Sequence, residues 1–139
     1  MTQGRVVSID YGLARIGLAV SDERKIIASS LGVLEREKGM EATLQKLLAK
    51  LSPYTVETII VGLPLHLDGK KSFLSEETTF FMKKLQEAIS CPVLPWDERL
   101  STAQAERFLR ETTLTRKKKA GIIDAIAAMI LLQSYIDSL

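Results

Sequence analysis

Three acidic residues occupy positions where a hydrophobic residue would carry no desolvation cost. Asp10 ends an apolar, strand-like segment, Glu98 ends another, and Asp124 interrupts the apolar part of the last helix. A carboxylate at the edge of a core is costly unless it is paired or binds a cation. Carboxylate oxygens favour Mg²⁺ or Mn²⁺, and one cysteine and one histidine provide no cluster that suits zinc. The three acids are therefore candidate metal ligands; the alternative for each is a salt bridge or a helix cap.

A basic stretch precedes the last of these acids. Between positions 99 and 119 the chain carries seven basic and two acidic residues, a local charge of +5, whereas the remainder holds 12 basic and 15 acidic residues. The candidate phosphate contacts are Arg116, Lys117, Lys118 and Lys119 directly before the helix of Asp124, Arg99 beside Glu98, and Lys70 and Lys71 in a glycine-containing loop. The alternative for the run of four is a solvated, flexible loop, and Arg99 could equally neutralise the acids around it. No aromatic residues are interleaved with the run, which argues against a stacking platform for single strands.

Hydrophobic periodicity predicts the elements that must position these residues. Strand-like runs are 5–9, 15–20, 28–34, 58–61 and 92–96, and turn-prone residues make the first two a hairpin. Three helices are marked by Met40, Leu44, Leu47, Leu48 and Leu51, by Phe81, Leu85, Ala88 and Ile89, and by a capping pattern that begins at Ser101. After an unstructured segment 112–119, a final helix from 120 to about 138 buries Ile123, Ile126, Ala127 and Ile130. Antiparallel strands first and parallel strands later predict an α/β fold with a mixed five-stranded sheet flanked by helices.

Length and composition limit the class of protein. A chain of 139 residues with 46% apolar content can bury one core, so we expect residues 1–139 to form a single domain. The only thiol, Cys91, excludes an intrachain disulfide, and Cys91 and Trp96 are best explained as core residues. No secretory signal is visible, and the longest apolar run, 125–132, is too short to cross a bilayer. A cytoplasmic protein without membrane contact is expected.

Four groups of residues, spread in order over nearly the whole chain, resemble the YqgF family. They are Ile9-Asp10-Tyr11-Gly12; Val61-Gly62-Leu63-Pro64 with Asp68-Gly69; Asp97-Glu98-Arg99 with Ser101-Thr102; and Lys119 through Ile123-Asp124 with Ala127-Ala128. Members of that family are described as RuvC-like Holliday junction resolvases and as pre-16S rRNA nucleases. The resemblance implies an RNase H-like fold and catalytic roles for Asp10, Glu98 and Asp124. RuvC resolvases carry a further acid on the last helix, whereas the helical neighbours of Asp124 here carry none, which implies weaker metal affinity without substrate.

The expected function is Mg²⁺- or Mn²⁺-dependent hydrolysis of a nucleic-acid phosphodiester. Two metals about 4 Å apart can activate a water on one side of a phosphate and stabilise the leaving oxygen on the other. Asp10, at the end of a central strand, is the expected bridging ligand, with Glu98 and Asp124 flanking it. His66 is interpreted as an exposed loop residue rather than a catalytic one.

The residues of the sequence are compatible with more than one substrate and more than one class of function. We favour 5′-end processing of pre-16S rRNA by a monomer or weak homodimer, with RNA and pre-ribosomal particles as partners. Resolution of four-way DNA junctions is the alternative, and it would require a dimer with two active sites. A non-catalytic nucleic-acid- or ribosome-binding factor is the alternative of another class. A nucleotide-binding ATPase of the actin or hexokinase type is disfavoured, because it needs two related domains.

Overall fold

The computed structural model describes residues 4–12, 14–63, 73–97 and 116–139. The elements in these ranges are β1 (Arg5–Tyr11), β2 (Arg15–Ser21), β3 (Ala28–Glu35), α1 (Met40–Leu51), β4 (Val56–Leu63), α2 (Phe73–Ala88), β5 (Val93–Asp97) and α3 (Arg116–Asp137). The strands form one sheet in the order β3-β2-β1-β4-β5. β2 is antiparallel to both β1 and β3, whereas β4 is parallel to both β1 and β5. The predicted mixed sheet, with its antiparallel strands first, is confirmed.

The central strand β1 is covered on both faces because its side chains alternate between two cores. Val7 and Ile9 belong to the larger core, which α1 and α2 close with Leu47 and Leu85. Residues on the opposite face of the sheet pack under α3 and form a second, smaller core. This second core consists of Val6, Ala19, Ala28, Ile60, Ala128, Leu131, Leu132 and Ile136. Cys91 packs against the first core and Trp96 against the second, and both are half-buried, so they lie at the margins of the two cores rather than inside them.

Helix α3 departs from its prediction in two respects. It begins at Arg116 rather than at 120, so the prediction of an unstructured segment was wrong for residues 116–119. Lys and Arg are good helix formers, and no Gly or Pro stands among these four residues to stop the helix. The predicted buried face was also partly wrong, since Ile123, Ile126 and Ile130 are only half-buried. The buried residues of α3 are Ala127, Ala128, Leu131, Leu132 and Ile136.

The reason for the altered face is a close approach between α3 and the sheet. A Cβ atom added to Gly17 on β2 would lie 2.1 Å from the carbonyl oxygen of Asp124 and 3.4 Å from Cβ of Ala128. The buried hydroxyl of Ser8 donates a hydrogen bond of 2.6 Å to the carbonyl oxygen of Ala128. Alanines permit this approach because their side chains are small, whereas the larger Ile123, Ile126 and Ile130 stay half-buried. Residues 101–115, which include the predicted third helix, lie outside the described residues.

Replacing Gly17 tests the approach. Gly17→Ala should lower the free energy of unfolding by about 3 kcal/mol, the upper end of the usual overpacking range, because a backbone oxygen cannot be repacked as a side chain can. Urea denaturation measures this loss, and emission of the single tryptophan, Trp96, reports α3 because its ring packs on Tyr135 at 5.1 Å.

The matched control is Gly32→Ala. Gly32 has a positive φ of 91° and nothing within 4 Å of an added Cβ, so its cost of about 1 kcal/mol arises from the backbone alone. The control should leave Trp96 emission unchanged. Equal losses of stability with unchanged emission in both variants would contradict the close approach.

Candidate active site

Asp10 lies near the carboxyl end of β1, on the face of the sheet that α3 covers. Alternation along the strand places it with Val6 and Ser8, and its side chain is half-buried. Gly17 is its direct partner on β2. On the other side, Ile9 pairs with Val61, so Gly62 on β4 follows in register beside Asp10. Neither of these two neighbours carries a side chain, and the space over Gly17 is occupied by the backbone of α3.

Asp124 reaches the same place from α3. Its backbone lies on Gly17, the residue that pairs with Asp10. Its Oδ2 atom accepts a hydrogen bond of 2.9 Å from Nε of Arg15, which lies on the same face of β2. The side chains of Arg15 and Asp124 are 29% and 24% exposed, so solvent and solutes reach this ion pair. Asp10 and Asp124 are thus both placed against the same residue of β2, Gly17, although 114 positions separate them in the sequence.

The remaining predicted site residues divide into two groups. Glu98, Arg99, Lys70 and Lys71 lie outside the described residues, as does His66, which is not among the predicted site residues. β5 is described to Asp97, and its carboxyl end lies at the same edge of the sheet as those of β1 and β4, because these strands are parallel. Arg116, Lys117, Lys118 and Lys119 form the first turn of α3, so their backbone begins about 12 Å along the helix axis from Asp124.

A second network, which sequence reasoning missed, holds the other side of the turn after Asp10. The hydroxyl of Tyr11 donates a hydrogen bond of 3.0 Å to Oε1 of Glu77 on α2. Arg36 forms an ion pair with Glu77 and donates a 3.1 Å hydrogen bond to the carbonyl oxygen of Gly12. Its guanidinium carbon lies 4.8 Å from the centre of the Tyr11 ring. Burial, followed by the hydrogen bond to Glu77, raises the pKa of Tyr11 to about 12.

Sequence reasoning also missed Arg15. A charged residue at the start of an apolar strand is usually solvated, and nothing local indicates a partner on a helix more than 100 positions away. The available signal was its alternation with Gly17, which places both on one face of the strand. Arg15 and the Tyr11 network are therefore joined to the site only by tertiary contacts, which no local sequence pattern predicts.

The donor chemistry of the site fits a hard divalent cation. Asp10 and Asp124 are half-buried and lie against Gly17, and carboxylate oxygens are the ligands that Mg²⁺ prefers. Within the described ranges no group of three His, Cys, Asp or Glu residues could hold a metal ion. The described part thus supplies two acids, and Glu98 is the predicted third.

Residues 4–138 match the sequence profile of a family described as RuvX: Holliday junction resolvase. The chain belongs to the RuvX family. The resemblance to YqgF is confirmed, since both names denote this family. Its descriptions name nucleases, which are hydrolases of phosphodiester bonds.

Similar proteins of this family occur in several bacteria. The chain is 48% identical over 140 residues to a protein of Protochlamydia amoebophila, covering 96% of this chain and 93% of that relative. Identity is 43% over 133 residues with a Halothermothrix orenii protein (96% and 94% covered). It is 41% over 136 residues with one from Geobacillus kaustophilus (96% and 98% covered). All three bear the name "Putative pre-16S rRNA nuclease".

The fold of this RuvX chain is also that of RuvC. Thermus thermophilus RuvC, solved in complex with a Holliday junction substrate, superposes with a TM-score of 0.56 at 16% identity over 97% of this chain and 94% of RuvC. A second RuvC structure from T. thermophilus gives a TM-score of 0.54 at 15% identity, covering 96% and 95%. The expected RNase H-like fold is confirmed. In the part of the chain that the structure describes, no helix combines the length and apolar character needed to cross a membrane.

The Tyr11 network predicts a specific pH dependence of stability. Because the folded pKa of Tyr11 is about 12 and the unfolded value is about 10, the neutral phenol stabilises the folded state below pH 10. This contribution is lost as the pH rises from about 10 to about 12. Denaturant titrations across this window should show a steeper fall for the parental protein than for Tyr11→Phe. Tyr54→Phe is the control, and parallel curves for the parental protein and Tyr11→Phe would refute the network.

Proposed function

We propose that this protein is a divalent-metal-dependent nuclease that hydrolyses nucleic-acid phosphodiesters at the face of the sheet where Asp10 and Asp124 meet. The observation that carries the proposal is the position of these two carboxylates around Gly17. A half-buried pair of acids is suited to a cation and to a phosphate oxygen beside it. Membership in a family of nucleases agrees with this use of the site.

Each acid has a distinct proposed role. Asp10, on the central strand, would be the bridging ligand. Asp124 on α3 and Glu98, which follows β5 in the sequence, would be the flanking ligands. Mg²⁺ or Mn²⁺ held there would activate a water and stabilise the leaving oxygen of the scissile phosphate. The protein itself contributes fixed negative charge and glycines on the two strands beside Asp10. The apolar core under α3 keeps the ligands in place.

We further propose RNA as the substrate, specifically the 5′ end of precursor 16S rRNA. The names of the three relatives support this choice. The corresponding partners are pre-ribosomal particles, and the corresponding compartment is the cytoplasm, with the protein a monomer or weak homodimer. Arg116, Lys117, Lys118 and Lys119, with Arg99, Lys70 and Lys71, are the proposed phosphate contacts.

Cleavage of four-way DNA junctions is the second candidate, favoured by the family description and by the RuvC fold. The purified protein should be tested in Mg²⁺ on precursor 16S rRNA and on a four-way junction, with mature rRNA and linear duplex as controls. Selective cleavage of the precursor supports the first proposal, and paired nicks in the junction support the second. Binding to either without cleavage would indicate a non-catalytic factor.

Asp10→Asn tests the metal site. The amide keeps the size of the side chain but loses the charge that holds the cations, so Mg²⁺-dependent cleavage should be abolished while the fold and nucleic-acid binding persist. Asp137→Asn is the matched control, because it neutralises an exposed carboxylate at the other end of α3. Cleavage at the parental rate by Asp10→Asn would rule out this active site.

Replacing the four basic residues 116–119 by alanine tests phosphate binding. Each lost phosphate contact should lower the slope of log affinity against log salt concentration by about 0.7 to 0.9. The matched control removes four lysines from the helices on the other face of the sheet: Lys46, Lys50, Lys83 and Lys84. Equal slopes for the two variants would show that the run makes no specific contribution.

A further inference from the structure

Arg15 forms an ion pair with Asp124, which is a proposed metal ligand. Nε of Arg15 and Oδ2 of Asp124 are 2.9 Å apart, a charge-assisted hydrogen bond of good geometry. Arg15 is anchored through its backbone, because its carbonyl oxygen accepts a 3.0 Å hydrogen bond from the amide of Gly12. Its side chain, 29% exposed, extends from this fixed point along the face that carries Asp10. A permanent positive charge thus stands at the proposed cation site.

This charge opposes a divalent cation in two ways. It repels the cation, and it holds an oxygen that the cation would bind. At separations of several ångströms in a partly solvated site, the interaction of one charge with a divalent ion changes affinity by about tenfold. A partner with negative charge that binds the guanidinium relieves this competition.

A phosphate group of the nucleic acid is such a partner. The guanidinium presents its donors in a planar fork that matches phosphate as well as carboxylate. When a phosphate lies over Asp10, it offers Arg15 an alternative to Asp124 within reach of the same side chain. The carboxylate of Asp124 is then released toward the cation.

We propose that Arg15 couples metal loading to substrate binding, by competing with the cation for Asp124 until a nucleic-acid phosphate takes over the guanidinium. This inference rests on the proposed role of Asp124 as a metal ligand. It makes Arg15 a positioning residue that keeps the site poor in metal when no substrate is bound. By linkage, metal and nucleic acid strengthen each other's binding, and the strengthening depends on Arg15.

The test measures Mn²⁺ binding by electron paramagnetic resonance, first without nucleic acid. Arg15→Gln should bind Mn²⁺ about tenfold more tightly than the parental protein, and Arg15→Lys should restore weak binding because it restores the charge. Arg5→Gln is the matched control: it removes the same charge from β1 about 17 Å from Asp10. A second series adds a phosphorothioate RNA that resists hydrolysis, with its own Mn²⁺ binding subtracted. The RNA should tighten Mn²⁺ binding in the parental protein more than in Arg15→Gln.

Each outcome of these measurements either supports or overturns the coupling through Arg15. Tighter binding in Arg15→Gln alone, including binding seen only in that variant, supports the coupling. Unchanged binding in Arg15→Gln, equal tightening in Arg5→Gln, or no detectable binding in any protein overturns it. Asp10→Asn and Asp124→Asn separate this result from the proposed function. If neither weakens Mn²⁺ binding, the metal site itself is wrong; if both weaken it while Arg15→Gln has no effect, only the coupling is wrong.

Discussion

The contact between Gly17 and the carbonyl oxygen of Asp124 determines where Asp124 lies relative to Asp10, and so where the proposed chemistry would take place. With 2.1 Å between that oxygen and the position of a Cβ, only glycine lets the backbone of α3 rest on β2. The hydrogen bond from Ser8 to the carbonyl of Ala128 fixes the helix one turn further along. These two contacts set the rotation of α3 about its own axis. Consecutive helical residues are 100° apart, so a shift of the helix by one residue relative to the sheet would turn Asp124 away from Asp10.

The central strand serves both cores and the site through simple alternation. Val7, Ile9 and Tyr11 point into the core closed by α1 and α2, while Val6, Ser8 and Asp10 lie under α3. The acid therefore sits at the end of one of the most deeply buried strands of the sheet. On the reverse side, the hydrogen bonds and ion pair of Tyr11, Arg36 and Glu77 hold the turn that follows. The backbone around Asp10 is thus held from both faces of the sheet.

Local sequence pattern predicted the order of the elements, the hairpin and the mixed sheet, because strand and helix periodicities are properties of short segments. It also singled out Asp10 and Asp124, since both interrupt apolar segments at some cost; that they share one metal site stays a prediction. It failed where tertiary contacts decide. The buried face of α3 follows from the approach to Gly17 rather than from its isoleucines, and the four basic residues extend the helix because their helix propensity prevails over their charge. Arg15 and Arg36 have partners distant in sequence, which no local signal reveals. Glu98 stays a prediction.

The central claim is that Asp10 and Asp124 hold the same cation on the α3 face of the sheet. Anomalous diffraction from crystals grown with Mn²⁺ and a hydrolysis-resistant RNA measures this directly. The account predicts a Mn²⁺ peak within about 2.2 Å of an oxygen of each carboxylate, and Arg15 withdrawn from Asp124. A Mn²⁺ peak bound elsewhere, with the hydrogen bond from Arg15 to Asp124 intact, would contradict it.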